Sequence, residues 1–141
     1  MAHASLLAGM AFNNAGLGYV HAMAHQLGGL YDIPHGVANA VLLPHVEEFN
    51  IISNPKRFAD IAEFMGENIE GLSVREAADK AIAAIRKLSE DVNIPSNLRE
   101  LGVKEEDFEK MAKLALEDGN AVSNPIQGKE QDIINIFKAA Y

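Results

Sequence analysis

The sequence predicts an all-α domain, a bundle-like fold of six to eight helices. Three observations carry that prediction. Apolar residues recur three and four positions apart through most of the 141 residues. No stretch alternates apolar and polar residues for long enough to form a half-buried strand. The breaks between apolar stretches carry helix-end chemistry, as at Asn54-Pro55 and at the pair Ser73 and Glu76.

The first predicted helix covers residues 1–15 and is rich in alanine and leucine, with no good cap at its start. Asn13, Asn14 and Gly16 weaken its end. The second runs from about Leu17 to Leu27 and is apolar on most sides, so it should be central. Gly28 and Gly29 are expected to loosen or end it, and Pro34 biases Ile33 away from helical angles. Residues 37–49 read as a third, buried helix, with Pro44 as a kink or break. Asn54 then caps a helix whose first-turn residue is Pro55. Phe58, Ile61, Ala62 and Met65 form its stripe, and Gly66 closes it.

Ser73 and Glu76 match a capping box. Behind them Val74, Ala77, Ala78, Ala81, Ile82, Ile85 and Leu88 hold the helical period for more than four turns. Between Asn93 and Gly102 an irregular segment is pinned by Leu98 and Leu101. Acid at Glu105, Glu106 and Asp107 suits the start of a helix faced by Phe108, Met111, Ala112 and Ala115. A polar break over residues 119–128 precedes the last helix, which packs Ile133, Ile134, Phe137 and Ala140.

Composition narrows the function. The formal charge is −8, with 12 basic against 20 acidic side chains and no basic stripe, which argues against a nucleic-acid partner. The absence of cysteine removes disulfides, thiolate metal sites and cysteine nucleophiles, and suits a reducing cytoplasm. No apolar run reaches the roughly 18 residues of a membrane span, and no signal peptide is seen. No serine sits in a nucleophile elbow, and no P-loop or GxGxxG occurs. Glu47, Glu48 and the acids at 105–107 read as solvated helix faces or dipole partners.

The chain is organised around residues 16–39, which hold three of the five histidines. His21 and His25 are one helical turn apart, so their rings leave one face. His35 follows Pro34 at the start of the next element. Glycines at 16, 18, 28 and 29 flank the stretch, where backbone must turn sharply or approach something closely. Neutral imidazole is a common ligand for first-row metals. On spacing alone, a metal site and a set of hydrogen-bonded core histidines stand as equal alternatives. The HxxxH spacing of metalloproteases needs a glutamate beside the first histidine; Ala22 stands there, so peptidase chemistry is not expected. His3 and His45 are expected to be hydrogen-bonded core residues, with His45 capping a carbonyl freed by Pro44.

The same stretch closely resembles the second signature of the iron-containing (group III) alcohol dehydrogenases. That pattern, G-x-x-H-x-x-A-H-x-x-G followed by P-H-G-x-x-N-A, stands here as Gly18, His21, Ala24, His25 and Gly28, then Pro34, His35, Gly36, Asn39 and Ala40. LAGMAFNNAGLG before it, LLPHVEEFN after it, NIPSNLRELGV, Asn124-Pro125 and the closing Ala139, Ala140 and Tyr141 are also similar to the family. Within it, the likeness is greatest to the group of lactaldehyde reductases, propanediol dehydrogenases and butanol dehydrogenases.

The resemblance implies a dehydroquinate synthase-like architecture of two domains. An N-terminal α/β domain binds NAD or NADP, and a C-terminal helical domain carries a divalent ion, Fe(II) or alternatively Zn(II). It implies an enzyme that interconverts primary alcohols and aldehydes by hydride transfer, a homo-oligomer in its full form. Family ligands are an aspartate and three histidines. By motif position His21 and His35 are two of them, which displaces the pair His21 and His25 that spacing alone favours. His25 is then a residue near substrate and nicotinamide, a candidate for proton relay, and Phe12 and Asn120 line the substrate channel. The D-x-x-x-H motif that carries the other two ligands does not occur in the sequence. The expectation is therefore that residues 1–141 are part of the metal-binding helical domain without the nucleotide-binding domain. Such a piece is expected to be inactive alone, with exposed apolar faces on its first two helices that promote self-association. The alternative is a stand-alone helical metal-binding or interaction module with no redox activity.

Overall fold

A computed structural model describes residues 1–141. It contains seven α-helices, three short 3-10 turns and no strand. The helices are α1 (Ala2–Ala15), α2 (Tyr19–Tyr31), α3 (His35–Asn50), α4 (Pro55–Phe64), α5 (Val74–Asp91), α6 (Phe108–Glu117) and α7 (Glu130–Ala139). The main core lies between α2, α3, α6 and α7, with Leu98 and Val103 of the irregular segment plugged into it. Its largest fully buried side chains include Tyr19, Phe108, Phe137, Met23 and Leu27. Phe108 stacks on Phe137 with ring centres 5.5 Å apart, and the Leu98 amide donates to the Ala140 carbonyl at 2.8 Å, tying the loop to the end of α7.

A smaller apolar cluster joins α4 to α5 through Phe58, Ala62, Ala78, Ala81 and Ile82. The alanine face of α5 has little side-chain bulk, so the two helices can approach closely. The predicted caps hold both in place. The Asn54 side chain accepts from the Arg57 amide, and Ser73 and Glu76 form the reciprocal capping box. Gly66 ends the α4 segment at φ 90°. Val74 and Leu88 of the predicted α5 stripe, and Ile61 and Met65 of the α4 stripe, are exposed rather than buried. The cluster is narrow and the ends of both stripes overrun it.

Two element boundaries differ from expectation. The helix α2 continues through Gly28 and Gly29 to Tyr31 and ends at Asp32, which is left-handed at φ 55°. A glycine inside a helix costs only about 1 kcal/mol relative to alanine, and burial of Leu27 and Ile33 on either side offsets it. The helix α3 keeps Pro44 inside it without ending. His45, next to that proline, does not cap a carbonyl: its Nδ1 is buried without a hydrogen-bond partner. His3 is not a core residue either, because it lies on exposed α1. No residue of α1 is buried, and Leu6, Leu7 and Met10 are all exposed. The expectation of exposed apolar faces therefore holds for α1 and fails for α2, which is the centre of the core.

Candidate active site

Two glycines set the entry to α2. Gly16 has φ 83° and ψ 175°, and Gly18 has φ 118° and ψ −163°. Only glycine adopts this region freely. A Cβ on Gly16 would lie 2.5 Å from Ser123, and one on Gly18 would lie 3.0 Å from Asn124 Oδ1. The chain is thus pressed against residues 123–124 before α2 begins. Asn124 uses that proximity. Its Oδ1 accepts from the Tyr19 amide at 3.1 Å, an N–H in the first turn of α2 with no helical partner. Its Nδ2 donates to Asn50 Oδ1 at 2.8 Å and to the Ile126 carbonyl at 2.8 Å, and Asn50 Nδ2 donates back to Asn124 Oδ1 at 3.2 Å. The two asparagines are the buried polar residues of the core. They join the start of α2, the end of α3 and the loop before α7.

From these anchored helices three imidazoles meet. His21 and His25 leave one face of α2 with ring centres 6.4 Å apart. His35, the first residue of α3, brings its ring to 5.2 Å from His21 and 5.5 Å from His25. Phe12, near the end of α1, stands 6.4 Å from His21. The cluster has one half-buried member, His21, while His25 and His35 open to solvent. Burial pushes the His21 imidazole below its usual range, the neighbouring His35 and His25 rings reinforce this, and Asp118 only partly opposes it. His21 is therefore neutral near pH 7 and has a lone pair to give.

A tertiary partner missed in the sequence reading is Asp118. It closes α6 and opens the 3-10 turn at Gly119–Ser123. Its Oδ2 lies 2.7 Å from His25 Nδ1. Its Oδ1 accepts from both the Asn120 amide at 2.8 Å and Asn120 Nδ2 at 2.9 Å. Burial by itself would raise the Asp118 carboxyl, but the His25 and Asn120 hydrogen bonds outweigh it and hold the carboxyl below its usual range. An ionised carboxylate only accepts, so His25 Nδ1 is the donor and carries the proton. No motif spacing signals this pair, since 93 positions separate its members. Asn120, expected in a substrate channel, sits beside His25 through Asp118.

The arrangement can be tested against a metal ion. No group of three or more His, Cys, Asp or Glu side chains is arranged to hold one. Two imidazoles sharing a tetrahedral ion, each nitrogen about 2.1 Å from it, place their ring centres about 5 Å apart. His21 and His35 match that separation, and His25 is already committed to Asp118 through one nitrogen. Asn39 Nδ2 donates to the His35 carbonyl at 2.8 Å and stands 3.0 Å from His35 Nε2, so an ion held through Nε2 would displace that second contact. The separation of the His21 and His35 rings is thus compatible with two imidazoles on one ion.

Comparison with known proteins decides the family. The description "Fe-containing alcohol dehydrogenase family, C-terminal" matches residues 1–141. The chain belongs to the iron-containing alcohol dehydrogenase family. It is 72% identical over 141 residues to a 1,3-propanediol dehydrogenase of Klebsiella pneumoniae, covering all of this chain and 36% of that protein. It is 51% identical over 140 residues to an NAD-dependent methanol dehydrogenase of Bacillus methanolicus, covering 99% of this chain and 37% of the relative. Its fold is similar to the crystal structure of a 1,3-propanediol oxidoreductase, with a TM-score of 0.99 and 71% identity over 99% of this chain and 37% of that one. The chain therefore spans about a third of the length of these relatives. The helical architecture expected from the resemblance is the one observed. No helix is long and apolar enough to cross a membrane.

Proposed function

We propose that residues 1–141 act as the metal- and proton-handling part of an NAD(P)-dependent dehydrogenase that interconverts primary alcohols and aldehydes. The observation that carries this reading is the convergence of the His21 and His35 rings to 5.2 Å from two different helices, beside His25. His21 and His35 hold a divalent ion, Fe(II) or Zn(II), together with ligands from the rest of a longer protein that also brings the nucleotide-binding domain. When bound, the ion supplies Lewis-acid polarisation of the alcohol oxygen, and the nicotinamide of NAD or NADP supplies the hydride acceptor.

The chain's own residues do the rest. His25, a single turn from His21, takes the hydroxyl proton at Nε2, since its Nδ1 already carries one. Phe12, with its ring centre 6.4 Å from that of His21, and Asn120, bonded to Asp118, line the substrate channel. Histidine offers first-row ions a site without strong preference, so availability sets which one is bound. The substrate is a small alcohol such as the diol or methanol for which the relatives are named. With half of the ligands and no nucleotide site, the 141-residue chain alone does not turn over.

The test is a chimera in which the N-terminal part of the Klebsiella propanediol dehydrogenase precedes this chain. Prepared without air, it is expected to contain one equivalent of metal and to oxidise 1,3-propanediol with NAD. His21→Ala and His35→Ala should each strip the metal and abolish turnover. Retention of full metal content by either variant would remove the assignment.

A further inference from the structure

We propose that Asp118 is a positioning residue that fixes His25 as the Nδ1–H tautomer, and that Asn120 sets the orientation of Asp118. The tautomer half of this inference stands on geometry alone; its consequence for turnover rests on the proposed function. Asp118 is shielded, with 16% of its side chain accessible against 41% for His25. The more shielded partner thus directs the more exposed one. Backbone fixes it too, because Asp118 is both the last cap of α6 and the first of the following turn. Its two oxygens have separate tasks: Oδ1 takes both Asn120 donors, and Oδ2 takes His25 Nδ1.

This division has a consequence for which nitrogen of His25 can accept a proton. With Nδ1–H pointed at Oδ2, the Nε2 lone pair is free. An alcohol proton can move to Nε2, giving an imidazolium whose charge lies against the Asp118 carboxylate. The hydride leaves separately to the nicotinamide, so the proton and the electron pair are both accounted for. Were the proton on Nε2 instead, the nitrogen left to accept a proton would be the one facing the Asp118 carboxylate. In effect the carboxylate chooses the reactive nitrogen, as outer partners of functional histidines commonly do.

Asp118→Asn is a sharp variant for this reason. The Asn120 amide and Nδ2 both donate toward the Oδ1 position. The new side chain must put its carbonyl oxygen there and its NH2 toward His25. An NH2 group donates, so Nδ1 must become the acceptor and the proton must move to Nε2.

The experiment is long-range nitrogen–proton correlation spectroscopy on the 141-residue chain with labelled histidine, at about pH 9, well above the ordinary imidazole range. The parent is expected to show His25 as Nδ1–H, and Asp118→Asn to show it as Nε2–H with the other histidines unmoved. An Nε2–H tautomer in the parent overturns the proposal, and this holds whether or not the variant folds. An Asp118→Asn chain that keeps Nδ1–H overturns it as well. In the chimera the variant should lower kcat about 10²- to 10⁴-fold, the range of a lost general base, with KM for the alcohol little changed and bound metal retained. A tautomer that switches while kcat holds would sink the proton-acceptor role of His25 and leave the positioning intact.

Discussion

Among single residues, charge and burial set what can be predicted. Glu47 reads in the sequence as part of a solvated acidic face, yet it is half-buried on α3. Burial pushes its carboxyl above the usual range, and the Asn50 amide at 3.5 Å opposes that only partly. A carboxyl raised on folding holds its proton more tightly in the folded chain. Its contribution to stability is therefore full below the unfolded value and is lost as pH rises through the folded one. Glu47→Gln removes the charge that is penalised at neutral pH while keeping an oxygen for Asn50. The variant is expected to melt above the parent at about pH 7 and level with it at about pH 3, below the ordinary glutamate range. Thermal unfolding followed by circular dichroism across that interval checks this; equal offsets at both ends would contradict it. Glu48 reads differently in the structure as well: it meets Arg86 of α5 at 2.7 Å, an exposed ion pair that contributes little.

At the level of elements, what matters is how α2 is held, because it carries two of the three histidines. Its first turn receives no side-chain cap from its own N-cap residue, Gly18. Asn124 performs that task from 105 positions away by accepting from the Tyr19 amide. Tyr19 returns the connection, since its hydroxyl accepts from the Gly128 amide at 2.8 Å. Asn124→Ala leaves the Tyr19 amide and both polar atoms of buried Asn50 without these partners. The expected cost is about 3 kcal/mol, from more than one unsatisfied buried group. Urea unfolding of Asn124→Ala, Asn50→Ala and the double variant measures it. The double change should cost less than the sum, because each single change strands the other amide. Additive costs would show that the pair does not act as a unit.

For the molecule as a whole, α1 is the part without a core. Its 14 residues include none that are buried, while Leu6, Leu7 and Met10 are 61%, 65% and 59% exposed. Isolated helices shorter than about 12–15 residues are marginal in water, so α1 needs a cover to persist. In a longer protein other segments can provide it. For the 141-residue chain alone a second copy is the available apolar surface, and dimers or larger species are expected. Leu7→Lys with Met10→Lys should shift the population to monomer in sedimentation velocity. A parent chain that sediments as a monomer at high concentration would contradict the expectation.

The division between sequence and structure follows from the range of the forces involved. Helical spacing, Ser73 with Glu76, and Asn54 before Pro55 are readable along the chain because each acts within one or two turns. The same local rule puts His21 and His25 on one face, and the family motif adds His35 to them. Local rules also mislead: Gly28 and Gly29 suggest an end that core packing overrides, and the polar runs hide a half-buried Glu47. Only the tertiary structure joins Asp118 to His25 and Asn124 to Asn50 and Tyr19. Those partners are 74 to 105 positions apart, and a hydrogen bond requires contact within about 3 Å. Packing of α2 against α6 and the loop beyond it provides that contact, and spacing along the chain carries no record of it.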